Sequence, residues 1–193
     1  MKPDAILTTL SKDLHRYGGK SGFWGFVAGL KIPGFRYTYF LRKAGSTSNR
    51  SVSGIFYRFM LRRYTYKYGI QIPISTIIGD GFYIGHFGNI VINKNAVIGR
   101  NCNIAQGVTI GQVNRGKLMG CPVIGDNVWI GANAVIVGAI RIGNEVLIAP
   151  NSFVNFDVPT NSLVISSKCE CKSYENPTAG YINNVMGETA VSG

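Results

Sequence analysis

"CPVIGDNVWIGANAVIVGAIRIGNEVLIAPNSFVNFDVP", residues 121–159, carries an aliphatic residue at every sixth position: Ile124, Ile130, Ile136, Ile142, Ile148 and Val154. A period of six is neither the 3.6 of a helix nor the 2 of an isolated strand. It suits a short strand followed by a tight turn, three to a coil, so that each inward aliphatic stacks on another roughly 18 residues on. Small or β-branched residues recur four positions later (Val108, Val128, Ala134, Val146), and glycine follows the inward residue at Gly125, Gly131 and Gly143. Asn95, Asn101, Asp126, Asn127 and Asn133 stand near the expected corners, where Asn and Asp tolerate positive φ. The pattern predicts a mainly β chain built on a parallel β-helix of about four coils.

Read toward the N-terminus, the same period takes in Ile72, Ile78 and Ile84, then Ile92, Ile98, Ile104 and Ile110. Two interruptions break it. One is a two-residue slip between Ile84 and Ile92; the other is a loop over residues 111–123 containing "GQVNRGKLMGC". A solenoid extrudes insertions without disturbing its core, and such loops often build binding faces. The first interruption holds His86, one of only two histidines; the other is His15, in an N-terminal helical pattern. An imidazole titrates near neutral pH and can accept and return a proton, so His86 is either a satisfied core residue or the centre of the chemistry, while His15 reads as a surface or packing residue.

Residues 1–70 form a separate segment. Residues 4–16 and about 50–68 read as helices, with a Gly/Pro-punctuated stretch between them that leaves room for another short helix, and "LRKAGSTSNRSVSG" (41–54) reads as a loop. This segment holds the whole net charge of +11, with thirteen Lys or Arg up to Lys67 against Asp4 and Asp13, and 14 of the 22 aromatics. An anionic partner is implied, and a membrane surface, an anionic lipid-linked substrate, a phosphorylated cofactor and a merely solvated basic face all fit. Nucleic acid is not expected, since no glycine-flanked aromatic strand motif, zinc-ligand spacing or heptad is present. No run of about 18 apolar residues suggests a spanning helix, and no export signal is evident. Cys102, Cys121, Cys169 and Cys171 are unevenly spaced and suggest reduced thiols without a metal site, hence a cytoplasmic protein, peripheral to the inner membrane face if its basic segment meets lipid. The β-helix is expected over 71–160 and a C-terminal extension over 161–193.

The coil quoted above, with "YKYGIQIP", "GHFGNIVI" and "NIAQGVTIG", resembles the hexapeptide-repeat acyltransferases. The resemblance covers about residues 60–160 and points to the serine-acetyltransferase-like branch, closest in pattern to members of capsule and exopolysaccharide biosynthesis. It implies a left-handed β-helix, a homotrimer, acetyl-CoA as co-substrate and a small hydroxyl acceptor. His86 falls on the family's catalytic histidine, the general base. On the same footing Gly111, Gln112, Trp129, Gly131, Ala132, Ala149 and Pro150 are expected to bind the cofactor. Thr109, Gly111 and Gln112 match the family's turn beside the thioester, so a backbone N–H there is the expected oxyanion donor, and Arg115, Lys117, Lys168 and Lys172 are candidates for the CoA phosphates.

The departures concern the acceptor. Where the family's serine-specific members carry an Asp fifteen positions before the histidine, an Asp directly before it, and an Arg-His pair in the second loop, this chain has Gln71, Gly85, Gly120 and Cys121. Burying a zwitterion without paired charges costs several kcal/mol. A neutral polyol needs none, and Gln71, Asn89, Gln106 and the loop can offer hydrogen bonds, so Gln71, Gly85, Asn89, Gln106 and Cys121 are the expected acceptor contacts. The reading is an O-acetyltransferase acting on a sugar hydroxyl, with serine O-acetyltransferase and a non-catalytic β-helical scaffold as alternatives.

Overall fold

The computed structural model describes residues 3–166, together with 173 and 175; Lys168, Cys169, Cys171 and Lys172 lie outside the described residues. Four helices precede the coil: α1 (Pro3–His15), α2 (Gly22–Gly29), α3 (Pro33–Ser46) and α4 (Val52–Tyr68). Fourteen short strands follow as three parallel sheets. Sheet A holds β1 (Ile70–Gln71), β4 (Ile90–Ile92), β7 (Thr109–Gly111), β10 (Val135–Val137) and β13 (Phe153–Val154). Sheet B holds β2 (Ile77–Ile78), β5 (Val97–Ile98), β8 (Val123–Ile124) and β11 (Arg141–Ile142). Sheet C holds β3 (Tyr83–Ile84), β6 (Asn103–Ile104), β9 (Trp129–Ile130), β12 (Leu147–Ile148) and β14 (Leu163–Val164). The architecture is a left-handed parallel β-helix with an N-terminal helical part.

The sixfold repeat is the core. Of the thirteen periodic aliphatics all are buried except Ile78, which is half-buried. The residue two before each also points inward, as Cys102, Val108, Val128 and Ala134 do, because side chains alternate along a strand. Ile130 pairs with Ile148 eighteen positions on, the undisturbed step. Ile84 pairs with Ile104 twenty positions on, and Ile104 with Ile130 twenty-six on, so each interruption is absorbed at a corner while the ladder continues. Positive φ occurs at Asn101, Asn127 and Asn133, but not at Asn95 or Asp126. Asp126 is used differently, accepting from the Arg100 backbone N–H (2.6 Å) and pairing with its guanidinium (2.7 Å).

The helical part differs from expectation in its middle. Residues 41–46 of the expected loop are the end of α3, whose Leu41 and Ala44 are buried. Tertiary burial outweighs the weak helix propensity of Gly45 and Ser46. Pro33 stands in the first turn, where a missing N–H costs nothing. Asp13 is fully buried: it takes the Arg42 guanidinium (3.0 Å) and the Phe82 backbone N–H (2.8 Å), tying α1 to α3 and to the coil. Burial pushes its carboxyl above the usual range, against the pull of Arg42. Gly34 lets α3 lie on the coil, since a Cβ there would sit 2.1 Å from Ile84 O.

Candidate active site

His86 lies on the corner between sheets C and A, just past β3. The two extra residues fall here: Ile84 pairs twenty positions on, whereas Val91 pairs with Thr109 eighteen on, so residues 85–89 bulge from the coil. Gly88 (φ 120) and Asn89 (φ 47) make the bulge's reverse turn. The last turn of α4 holds it. Gly69 caps that helix in the left-handed conformation, and its carbonyl accepts from Ile90 N at 3.0 Å. The Phe87 ring packs on Tyr68, which stacks on Tyr64 at 5.3 Å and accepts a hydrogen bond from Arg36 at 3.0 Å. Sequence reasoning missed this aromatic support; its one signal was an apolar residue beside a corner histidine.

The His86 side chain is exposed, and among the described residues it makes no hydrogen bond or ion pair, with Gln71 or otherwise. The imidazole is therefore open to a partner from outside the chain. The register places Gln106 one coil above it, then Ala132, then Pro150, as Ile84, Ile104, Ile130 and Ile148 pair in turn. From His86 to Pro150 is three coils, ~14 Å. Gly85, Ala105, Gly131 and Ala149 form the adjoining column, so this edge is lined by small residues along its length. Gly131 is required, since a Cβ would meet Pro150 N at 2.5 Å. Trp129 flanks this edge from the outer face of sheet C, 39% exposed, between Asn103 and Leu147.

The remaining expected residues are elsewhere. Gly111 ends β7 and Gln112 follows it at the opposite edge of sheet A, roughly 15 Å of strand from Gln106. The loop there is a short hairpin: Val113 and Gly120 exchange both backbone bonds (3.0 and 2.9 Å), and Ala139 N holds Leu118 O at 2.9 Å. Half-buried Cys121 points its thiol at Gln112 Oε1 (3.8 Å), and burial raises the thiol's pKa, so no thiolate nucleophile is favoured. Arg115 and Lys117 are exposed on this hairpin. The Thr109 N–H is spent on Ala134 O (2.9 Å), which removes it as an oxyanion donor. Gln71 faces outward on sheet A in a pocket of about 330 Å³ with Thr65, Pro73 and Val91. One chain thus carries the expected residues on two separate edges: the His86 edge and the hairpin edge.

Charge separates them from the third corner. Asp80, Asp126 and Glu145 stack between sheets B and C, with Arg100 and Asn127 among them, away from His86. Asp157 is engaged by the Arg141 N–H at 2.7 Å. The His86 edge carries no carboxylate among the described residues. No group of His, Cys, Asp and Glu able to hold a metal occurs among them either.

The family model for the bacterial transferase hexapeptide (six repeats) matches residues 121–155. By sequence and by fold the chain is similar to the hexapeptide-repeat acetyltransferases. It is 42% identical over 106 residues to the "Putative colanic acid biosynthesis acetyltransferase WcaB" of Escherichia coli, covering 54% of this chain and 64% of that one. It is 37% identical over 102 residues to the serine acetyltransferase of Helicobacter pylori, covering 53% and 60%. The chain therefore spans somewhat under two thirds of the length of these curated acetyltransferases. Among solved structures, the serine acetyltransferase isoform 3 of Entamoeba histolytica, in complex with cysteine, superposes with a TM-score of 0.69 at 26% identity, covering 94% of this chain and 65% of that one. The Neisseria gonorrhoeae serine acetyltransferase in complex with serine gives 0.69 at 29% identity, covering 86% and 68%. Hexapeptide acetyltransferases naming a polysaccharide and naming serine thus both resemble it.

Proposed function

We propose that the protein is an acetyl-CoA-dependent O-acetyltransferase whose acceptor is a hydroxyl of a sugar or polysaccharide precursor. The observation that carries the reading is the exposed, unpaired His86 imidazole on an edge without a carboxylate. His86 removes the acceptor's proton as its oxygen attacks the thioester carbon, and returns that proton to the departing CoA thiolate. Exposure also argues against the scaffold reading, which has no use for His86. Gly131, Ala132, Ala149 and Pro150, with Trp129 beside them, would hold the pantetheine arm along the small-residue edge. Gln106 and Asn89 would orient the acceptor.

The two edges meet only if a second copy presents its hairpin edge to the first copy's His86 edge. Gly111, Gln112 and Cys121 would then come from the neighbour, as the homotrimer of the resemblance requires. Serine remains the second acceptor because the solved neighbours include a serine complex, although the expected acidic contacts are absent here.

The test is CoA release from acetyl-CoA, followed by thiol titration, with serine and with nucleotide sugars and oligosaccharides, for wild type and His86→Ala. Release with a saccharide, reduced ~10²–10⁴-fold in His86→Ala, supports the reading. Release with serine alone would replace the acceptor, and release unaffected by His86→Ala would remove the base.

A further inference from the structure

Between Asp13 and Asp80 the chain contains eleven Lys or Arg and no acidic residue. The coil balances little of this: among the described residues the cations of residues 3–79 form ion pairs only at Lys12–Asp80 and Arg42–Asp13. On α4, Gly54, Leu61 and Tyr68 are buried along one side. The opposite side carries Val52, Ile55, Phe56 and Phe59, all more than half exposed, with Val52 at 86%. That is the i, i+3, i+4, i+7 stripe of an amphipathic helix, turned to the outside. Its next two turns are basic, with Arg62, Arg63 and Lys67. On α2, Phe23 and Trp24 are 71% and 79% exposed.

The two helices are bridged by α3. The Tyr39 ring of α3 lies 5.2 Å from Phe26 of α2 and 6.3 Å from Tyr57 of α4, and Lys43 sits over Tyr57 at 6.0 Å. A cavity of about 720 Å³ between α1 and α2 opens beside the same ridge and shares Phe26, Tyr39 and Lys43 with it. Its walls are apolar at Leu10 and Leu14, and Lys20 and His15 stand at its rim. Exposed aromatics, uncompensated cations and a basic-rimmed apolar cavity together describe a receptor for amphiphilic anions.

We propose that the outer face of α2, α3 and α4 docks on a bilayer surface rich in anionic phospholipid. Phe23, Trp24, Phe56 and Phe59 enter the interface, and Arg62 and Arg63 meet phosphate headgroups. The docking is in the plane of the surface, because among the described residues no helix is long and apolar enough to cross a membrane. A second copy of the chain is the weaker occupant: the same face on both copies would oppose cations with cations, and α2, α3 and α4 contain no acid to relieve them. The inference does not depend on acetyl transfer.

The experiment is flotation of the full chain with vesicles of phosphatidylcholine alone and of phosphatidylcholine with phosphatidylglycerol, at low and high salt, with sedimentation mass measured in parallel. Binding is expected on the anionic vesicles only and is expected to weaken with salt. Phe56→Ser/Phe59→Ser and Arg62→Ser/Arg63→Ser are each expected to weaken it roughly tenfold or more with mass unchanged, and the second pair, whose side chains face outward, with melting temperature unchanged as well; the Phe56 ring also meets Phe40 at 6.4 Å, so the first pair lowers it modestly. Failure to float on anionic vesicles overturns the proposal. A fall in mass in Phe56→Ser/Phe59→Ser also overturns it, by assigning the face to a second copy.

Discussion

The Phe87 ring lies 5.4 Å from the Tyr68 ring at 41°, so the residue after His86 is gripped by the last turn of α4. The bulge that carries the imidazole is tied to the next coil at Gly85 N–Ile104 O (3.1 Å) and Gly107 N–Gly88 O (2.9 Å), and Gly69, Tyr68 and Phe87 hold it from the α4 side. Phe87→Ala is expected to lower kcat about tenfold or more with little change in melting temperature, since Phe87 is 54% exposed and small misplacements of a base are costly. Phe87→Tyr, which keeps the ring, is expected to retain most activity. Equal rates for wild type and Phe87→Ala would show that the grip is irrelevant to the base.

The period of six made the coil legible because burial repeats with it: a residue such as Ile130 must face inward whatever surrounds it. His86 was legible because an imidazole is conspicuous in an aliphatic repeat. What periodicity could not show was distance between corners. Gly111 and Gln112 were expected to bind the same cofactor as Ala132, yet they stand at the other edge of sheet A from His86. The end of α3 was hidden for another reason: "KAGSTS" is poor in helix formers, and it is the burial of Leu41 and Ala44 that decides its state.

The aliphatic ladder carries the stability of the coil. Ile130 is fully buried between Ile104 and Ile148 on sheet C. Ile130→Ala is expected to cost about 2–5 kcal/mol, because the ladder above and below cannot close over the cavity. Urea unfolding checks it. Ile78→Ala, at the half-buried first position of its ladder, is expected to cost less, and equal losses at both sites would contradict a continuous core.

Asp80 joins the coil to α1 through Lys12 (2.7 Å) and Thr9 (2.7 Å). The Lys12 hydrogen bond is the largest cause holding its carboxyl below the ordinary value of 3.8. A carboxyl whose folded pKa is depressed contributes stability above its unfolded pKa and loses it as pH falls through the folded one. The melting temperature is therefore expected to fall with acid below about pH 4, and less steeply in Asp80→Asn than in wild type. Thermal scans across pH 3 to 6 test this; parallel slopes for the two proteins would show that the Asp80 link does not act through its charge.

The thiol assay proposed above meets the protein's own cysteines, and the coil makes a distinction among them. Cys102 is an inward core residue, 0% exposed, whose thiol lies 3.2 Å from Gly125 O; burial pushes its pKa up to about 11. Thiolate attack on an aromatic disulfide reagent at pH 8 should therefore be negligible at Cys102 until the coil opens. Cys121, half-buried on the hairpin, is expected to react slowly in the native protein. Peptide-level mass spectrometry after brief labelling, with and without urea, separates the two. Labelling of Cys102 under native conditions would mean that the corner between sheets B and C opens between Ile98 and Ile104 far more often than a closed aliphatic ladder allows.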